Sequence, residues 1–270
     1  MTVPGRGAAH LAPPPGLHVY VVRSRRTGEV SIGVDLTPNG ACPLACDYCQ
    51  VPRSERTRPG PVDVARVRRE LSAALEESGA IAGDVVFAGS GEPTWPSEFP
   101  DALGIARALV RARGLAIPVR VLTGGTTLGR PEVASALETL VVSGDGEVWI
   151  KLDAWDEETH RRFWGTRGQA EHEARITAFG ARVPVVLQVM LVHRADAVTV
   201  EQTARGLAET VGRLLASGGR IDRVVLSTLF RVPGVERADL SAYGREDLER
   251  VRAALRASKV AVAVPPPALA

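Results

Sequence analysis

A chain of 270 residues with 45% hydrophobic side chains is long enough to bury a sizeable core, and the length suits an α/β barrel, which commonly runs to about 250 residues as one domain. The formal net charge of +2, without a run of five or more basic residues, neither calls for a nucleic-acid surface nor excludes one. The cysteines are three and clustered, which rules out a secreted disulfide framework and sets the expectation of a reducing, cytoplasmic environment.

Residues 1–16 are rich in Pro, Gly and Ala and are expected to form a flexible leader, since they lack the continuous apolar stretch of a secretory signal. Nowhere does the chain reach the ~20 uninterrupted apolar residues of a membrane span, so no membrane is expected. Beyond the leader, short β-branched runs alternate with longer helical patterns. Strands are expected at 31–36, 84–88, 118–122, 148–152, 184–192 and 223–230. Helices are expected at 62–77, 101–113, 131–140, 156–178, 198–216 and 245–257. Six successive βα units imply a parallel sheet with helices on one side. Six fall short of the eight that close a barrel, so the expected fold is a partial, open (β/α)6 TIM-like barrel whose functional face is the C-terminal end of its strands. Residues 260–264 read as one more edge strand, and 17–270 as a single core domain without internal repeats.

The first βα loop carries the chemistry: Cys42-Pro43-Leu44-Ala45-Cys46-Asp47-Tyr48-Cys49, preceded by Gly40 for a sharp exit from the strand. Three thiolates from one loop would bind three corners of an iron–sulfur cube and leave the fourth iron open, which suits reactivity rather than a closed structural site. Zinc is the alternative, but it needs a fourth ligand, and none of the five histidines stands at zinc-like spacing from the cysteines. Later strands hold further polar residues. Lys151 and Asp153 are two apart and share a face, and Gln188 and Met190 repeat that geometry in an apolar strand. Lys151 is conspicuous because Lys259 is the only other lysine beside 31 arginines. A charge inside a barrel needs a partner, and a structural Lys–Asp pair is one way to supply it.

The cysteine spacing resembles the CxxxCxxC signature of the radical SAM superfamily, and the resemblance covers about Tyr20 to Phe230. It includes Ser24-Arg25-Arg26, Gly33-Val34-Asp35-Leu36-Thr37-Pro38, Gly89-Ser90-Gly91-Glu92-Pro93-Thr94, Val121-Leu122-Thr123-Gly124-Gly125, Lys151-Leu152-Asp153-Ala154 and Gln188-Val189-Met190. Within the superfamily the chain is similar to iron–sulfur oxidoreductases related to tRNA wyosine synthases.

The resemblance implies that Cys42, Cys46 and Cys49 bind three irons of a [4Fe–4S] cluster and that S-adenosyl-L-methionine (SAM) chelates the fourth. Reductive cleavage would give methionine and a 5′-deoxyadenosyl radical that abstracts hydrogen from an RNA, a peptide or a small molecule. Gly89, Ser90, Gly91 and Glu92 would flank the amino end of SAM, and Thr123 would lie beside them. Tyr48 would pack on adenine or wedge under the loop. Lys151 and Asp153 would pair with each other or through SAM, Gln188 would bond the ribose or carboxylate, and Met190 would line the pocket. No side chain is nominated as a substrate acid or base.

Two departures matter. Thr123-Gly124-Gly125 stands where relatives tend to have Thr-Asn-Gly, and no further cysteines exist for a second cluster, so direct wyosine synthesis is not expected. Electrons would come from a separate flavodoxin- or ferredoxin-type donor, and Arg25, Arg26, Arg53, Arg56 and Arg58, which flank the cluster loop, would either bind an anionic substrate or reductase or simply be solvated, as exposed arginines in an Arg-rich chain usually are. The rival reading is a non-catalytic iron–sulfur or zinc protein that uses the same barrel for binding or electron transfer.

Overall fold

The computed structural model describes residues 17–24, 27–51, 58–194, 198–230 and 239–264; the leader and Arg25, Arg26, Arg53 and Arg56 lie outside these. The chain divides into two compact units. The first comprises Met1–Pro43, Ser54–Thr123 and Gly129–Val148, and the second Leu44–Arg53, Gly124–Leu128 and Trp149–Ala270.

The first unit contains β1 (Val19–Arg23), β2 (Val30–Val34), α1 (Val64–Ser78), β3 (Ala82–Phe87), α2 (Phe99–Ala112), β4 (Val119–Thr123) and α3 (Pro131–Val142). β2, β3 and β4 pair in parallel, and β1 joins β2 antiparallel at the edge. On one face of these parallel strands Ile32, Val34, Val85, Phe87, Val119 and Val121 are almost wholly out of solvent, and on the other Ser31 and Val86 are buried as well. The helices start on local chemistry. Asp63 caps α1 by accepting from the Arg66 amide at 2.9 Å, and Pro131 opens α3, where its missing N–H costs nothing.

β5 (Gly146–Lys151) begins in the first unit and ends in the second. The second unit continues with α4 (Glu157–Trp164), α5 (Gln169–Gly180), β6 (Val185–Arg194), α6 (Val200–Ala216), β7 (Ile221–Thr228), β8 (Leu240–Ala242), α7 (Arg245–Leu255) and β9 (Ala261–Ala263). β5, β6, β7 and β9 run parallel in that order, so the short tail strand does close the sheet's edge as expected, and β8 pairs antiparallel with the end of β6.

All six expected parallel strands and their helices are present, with two additions and one correction. β1 and β8 were not anticipated. The single helix expected over 156–178 is two helices, because Gly165 (φ 68°) and Gly168 (φ 125°) turn the chain through conformations that only glycine adopts readily. No helix among the described residues is long and apolar enough to cross a membrane.

Candidate active site

In the first unit the ends of β2 and β3 are tied together by carboxylates. Asp35, just past β2, takes the Thr37 amide at 2.8 Å on one oxygen, and the Ser90 amide at 2.9 Å and hydroxyl at 2.7 Å on the other. The loop after β3 can lie this close only because position 89 lacks a side chain: a Cβ on Gly89 would sit 2.3 Å from the Asp35 carboxyl carbon. Two residues on, the Glu92 amide donates to the Ala41 carbonyl at 3.0 Å, and a Cβ on Gly91 would sit 2.0 Å from that same oxygen. The residue immediately before Cys42 is thus seated on the Gly-Ser-Gly-Glu turn. The Glu92 carboxylate is buried and accepts from the Thr94 and Thr123 hydroxyls, the latter at 2.8 Å. Ser90, Glu92 and Thr123 therefore direct their side chains into the protein, and the glycines bring backbone forward.

In the second unit the cysteine loop meets the end of β5. Lys151 and Asp153 point the same way, as their spacing requires, with Lys151 Nζ 3.5 Å from Asp153 Oδ2. Tyr48 sits between them. Its hydroxyl donates to Asp153 Oδ2 and accepts from Lys151 Nζ at 2.9 Å, and the ammonium lies 4.5 Å from the ring centroid. Trp164 Nε1 donates to Asp153 Oδ2 at 3.0 Å, and the Met190 amide donates to Asp153 Oδ1 at 2.7 Å. Asp153 is thereby satisfied on both oxygens although wholly buried. Tyr48 is buried and held by its hydroxyl.

The electrostatics follow from this packing. Burial opposes the charge of Lys151, but attraction to Asp153, and then to Cys46 and Cys49, outweighs it and holds the ammonium above its usual pKa. Burial and the neighbouring Asp153 charge push the Tyr48 hydroxyl well above its ordinary value, so it remains a proton donor. Burial also raises the Cys46 thiol, with Lys151 pulling the other way. Behind Lys151, the buried His172 donates Nε2–H to the Lys151 carbonyl at 2.8 Å, which leaves Nδ1 as a bare lone pair with no partner.

Along β5, β6 and β7, Lys151 stands beside Gln188, and Met190 beside Ser227, on one face. The Gln188 side chain is largely buried, and the buried Ser227 hydroxyl has no hydrogen-bond partner among the described residues.

None of the three cysteines is in a disulfide: Cys46 is buried, and Cys42 and Cys49 are half-buried. Among the described residues no three of His, Cys, Asp and Glu converge as ligands of a single metal ion would. A cube spreads its thiolates over separate irons and does not ask that of them.

The expected residues thus fall into two groups, Gly89, Ser90, Gly91, Glu92 and Thr123 in the first unit and Tyr48, Lys151, Asp153, Gln188 and Met190 in the second. Sequence reading passed over the residues that hold them. Asp35 was visible only as part of a motif, and Trp164 and Arg194 gave no local signal. Arg194, at the end of β6, forms a buried ion pair with Asp47 inside the cysteine loop.

The chain matches the radical SAM superfamily over residues 36–206. In fold it is similar to SuiB of Streptococcus suis bound to precursor peptide SuiA, with TM-score 0.64 and 17% identity over 88% of this chain and 49% of that one. A radical SAM methyltransferase from Sphaerobacter thermophilus gives TM-score 0.59 and 18% identity over 87% of this chain and 66% of that one. TYW1, a wyosine synthase, gives TM-score 0.51 and 14% identity over 89% and 84%. A stretch of 119 residues is 32% identical to the GTPase Obg of Brachyspira hyodysenteriae, but it spans 43% of this chain and only 16% of that protein. The chain also spans only about half of SuiB. The likeness to the solved structures establishes the partial α/β barrel, and the match over 36–206 takes in the cysteine loop and strands β3 to β6, so the chain belongs to the radical SAM superfamily, whose enzymes use a [4Fe–4S] cluster and SAM.

Proposed function

We propose that residues 17–270 act as one radical SAM core in which Cys42, Cys46 and Cys49 hold the cluster, and that the enzyme abstracts hydrogen from a separate RNA, peptide or small-molecule substrate. The observation that carries this reading is a loop of three thiols outside any disulfide and no fourth, in a chain with no other cysteine. When bound, the cluster and SAM supply reductive cleavage of a sulfonium to methionine and a 5′-deoxyadenosyl radical.

The residues present suit that pair. The donor set is all sulfur and is one short of closing a cube. The unpartnered Ser227 hydroxyl is the kind of buried polar group that a ribose or carboxylate would satisfy, and in this reading the Gln188 side chain beside it serves the same ligand. In this reading Gly89, Ser90, Gly91 and Glu92 present backbone to the ammonium of SAM, with Thr123 fixing the Glu92 carboxylate behind them. Tyr48 and Asp153 fix the Lys151 ammonium, which offers positive charge to the SAM carboxylate and to the thiolates. Met190 contributes its side chain to the lining and its amide to Asp153. Electrons come from a separate flavodoxin- or ferredoxin-type protein in a reducing, cytoplasmic compartment.

Anaerobic reconstitution with iron and sulfide, followed by SAM and dithionite, is expected to release 5′-deoxyadenosine. A preparation carrying four irons and four sulfides per chain that releases none would overturn the proposal. The Cys46→Ala protein should lose both the cluster and the product.

A further inference from the structure

We propose that α4 and Arg194 form a built-in clamp that holds the cysteine loop in its cluster-binding conformation before any iron arrives. The proposal rests on the reading of Cys46 and Cys49 as cluster ligands, but the clamp can be observed without a cluster.

The clamp is made from the end of a helix. α4 stops at Gly165 in the left-handed conformation (φ 68°), so its last carbonyls lack donors from a following turn. The cysteine loop supplies them: the Ala45 amide donates to the Trp164 carbonyl at 2.8 Å, and the Asp47 amide to the Phe163 carbonyl at 2.9 Å. The side chains of the same two helix residues reach the same loop. Trp164 Nε1 lies 3.2 Å from the Tyr48 hydroxyl, and the Phe163 ring centroid lies 6.3 Å from that of Tyr48. Gly165 itself abuts Ala45, where an added Cβ would lie 2.8 Å from the Ala45 methyl.

The loop is also held by charge. Arg194 pairs with Asp47, their side chains only 9% and 4% exposed, and its guanidinium lies 5.6 Å from the centre of the Phe163 ring. Asp47, next to Cys46 in the chain, is thus fixed by both its backbone amide and its carboxylate. A buried carboxylate needs a permanent cation, and Arg194 provides one. Packing alone would not demand this. A helix needs only apolar contact to be buried, whereas here its C-terminal carbonyls, an indole N–H and a buried ion pair all converge on residues 45–48. Arg194 and Gly165 are positioning residues that act through the loop.

The test uses the full chain, reduced and free of iron under anaerobic conditions. Amide hydrogen exchange at Ala45 and Asp47 is expected to be as slow as in the middle of α4, and iodoacetamide should label Cys46 at least tenfold more slowly than Cys49. Exchange at those two amides as fast as in an unpaired loop would overturn the clamp, because the loop would then be ordered only by the cluster. Gly165→Ala and Arg194→Gln are each expected to raise the labelling rate of Cys46 at least tenfold while leaving Cys42 unchanged, and Arg194→Lys to restore part of the protection. Variants that fold and keep Cys46 protected would also defeat the proposal. If a variant fails to fold, wild-type exchange decides alone. Iron and sulfide content, measured separately on wild type, distinguishes failure of the clamp from failure of the cluster assignment.

Discussion

Asp153 accepts from Tyr48, Trp164 and the Met190 amide while facing Lys151, so a single carboxylate holds together β5, β6, α4 and the cysteine loop. Asp153→Asn would turn an amide N–H₂ toward groups that are themselves donors and would leave Lys151 without its anion. The expected loss is roughly 3–5 kcal/mol of stability, read from urea denaturation, with Lys151→Met adding much less on top of it than alone. His172 makes a second prediction at this scale. Burial, opposed by its bond to the Lys151 carbonyl, lowers its pKa from 6.5 to about 4. The unfolded chain takes up this proton near 6.5, whereas the folded chain resists it until about 4. Stability should therefore fall as the pH drops between those values, by about 3 kcal/mol in all, and no further below. His172→Gln should flatten that part of the curve when denaturation midpoints at pH 7 and pH 5 are compared.

The elements were legible where periodicity was local. The six parallel strands announced themselves as β-branched runs, and β9 as a short apolar stretch before the prolines. β1 was not visible because its place depends on a contact between strands: Tyr20 lies across Gly33 and sends its hydroxyl to the Ala88 carbonyl at 3.1 Å. The divide between α4 and α5 was written in Gly165 and Gly168, but an unbroken helical pattern over 156–178 masked it. At the site, the cysteines were legible from spacing alone, whereas the bond from Ser90 to Asp35 spans 55 positions and has no local signature. Position 33 gives a prediction for the element. A Cβ there would lie 2.2 Å from the Tyr20 ring, so Gly33→Ala should displace β1 and cost about 1–3 kcal/mol by thermal or chemical denaturation. Adding Tyr20→Ala to Gly33→Ala should recover part of that loss.

At the scale of the whole chain, binding and folding are linked. Any ligand that binds only the folded protein raises its melting temperature by mass action. SAM at one hundred times its dissociation constant should add about 2.7 kcal/mol to the reconstituted enzyme. For a chain of this size that is roughly 5–10 °C, readable by anaerobic differential scanning fluorimetry. The cluster-free chain should respond far less, since the cluster proposed to help hold SAM would be missing. Equal shifts with and without iron would mean that protein side chains alone hold SAM.

The seat of Ala41 on the Gly91–Glu92 turn has a practical consequence for protein engineers. Since that contact leaves no space for even a methyl group, the eight residues from Cys42 to Cys49 are not a portable cassette. Transplanting them into a foreign scaffold would require bringing along the acceptor turn and the aspartate that anchors it.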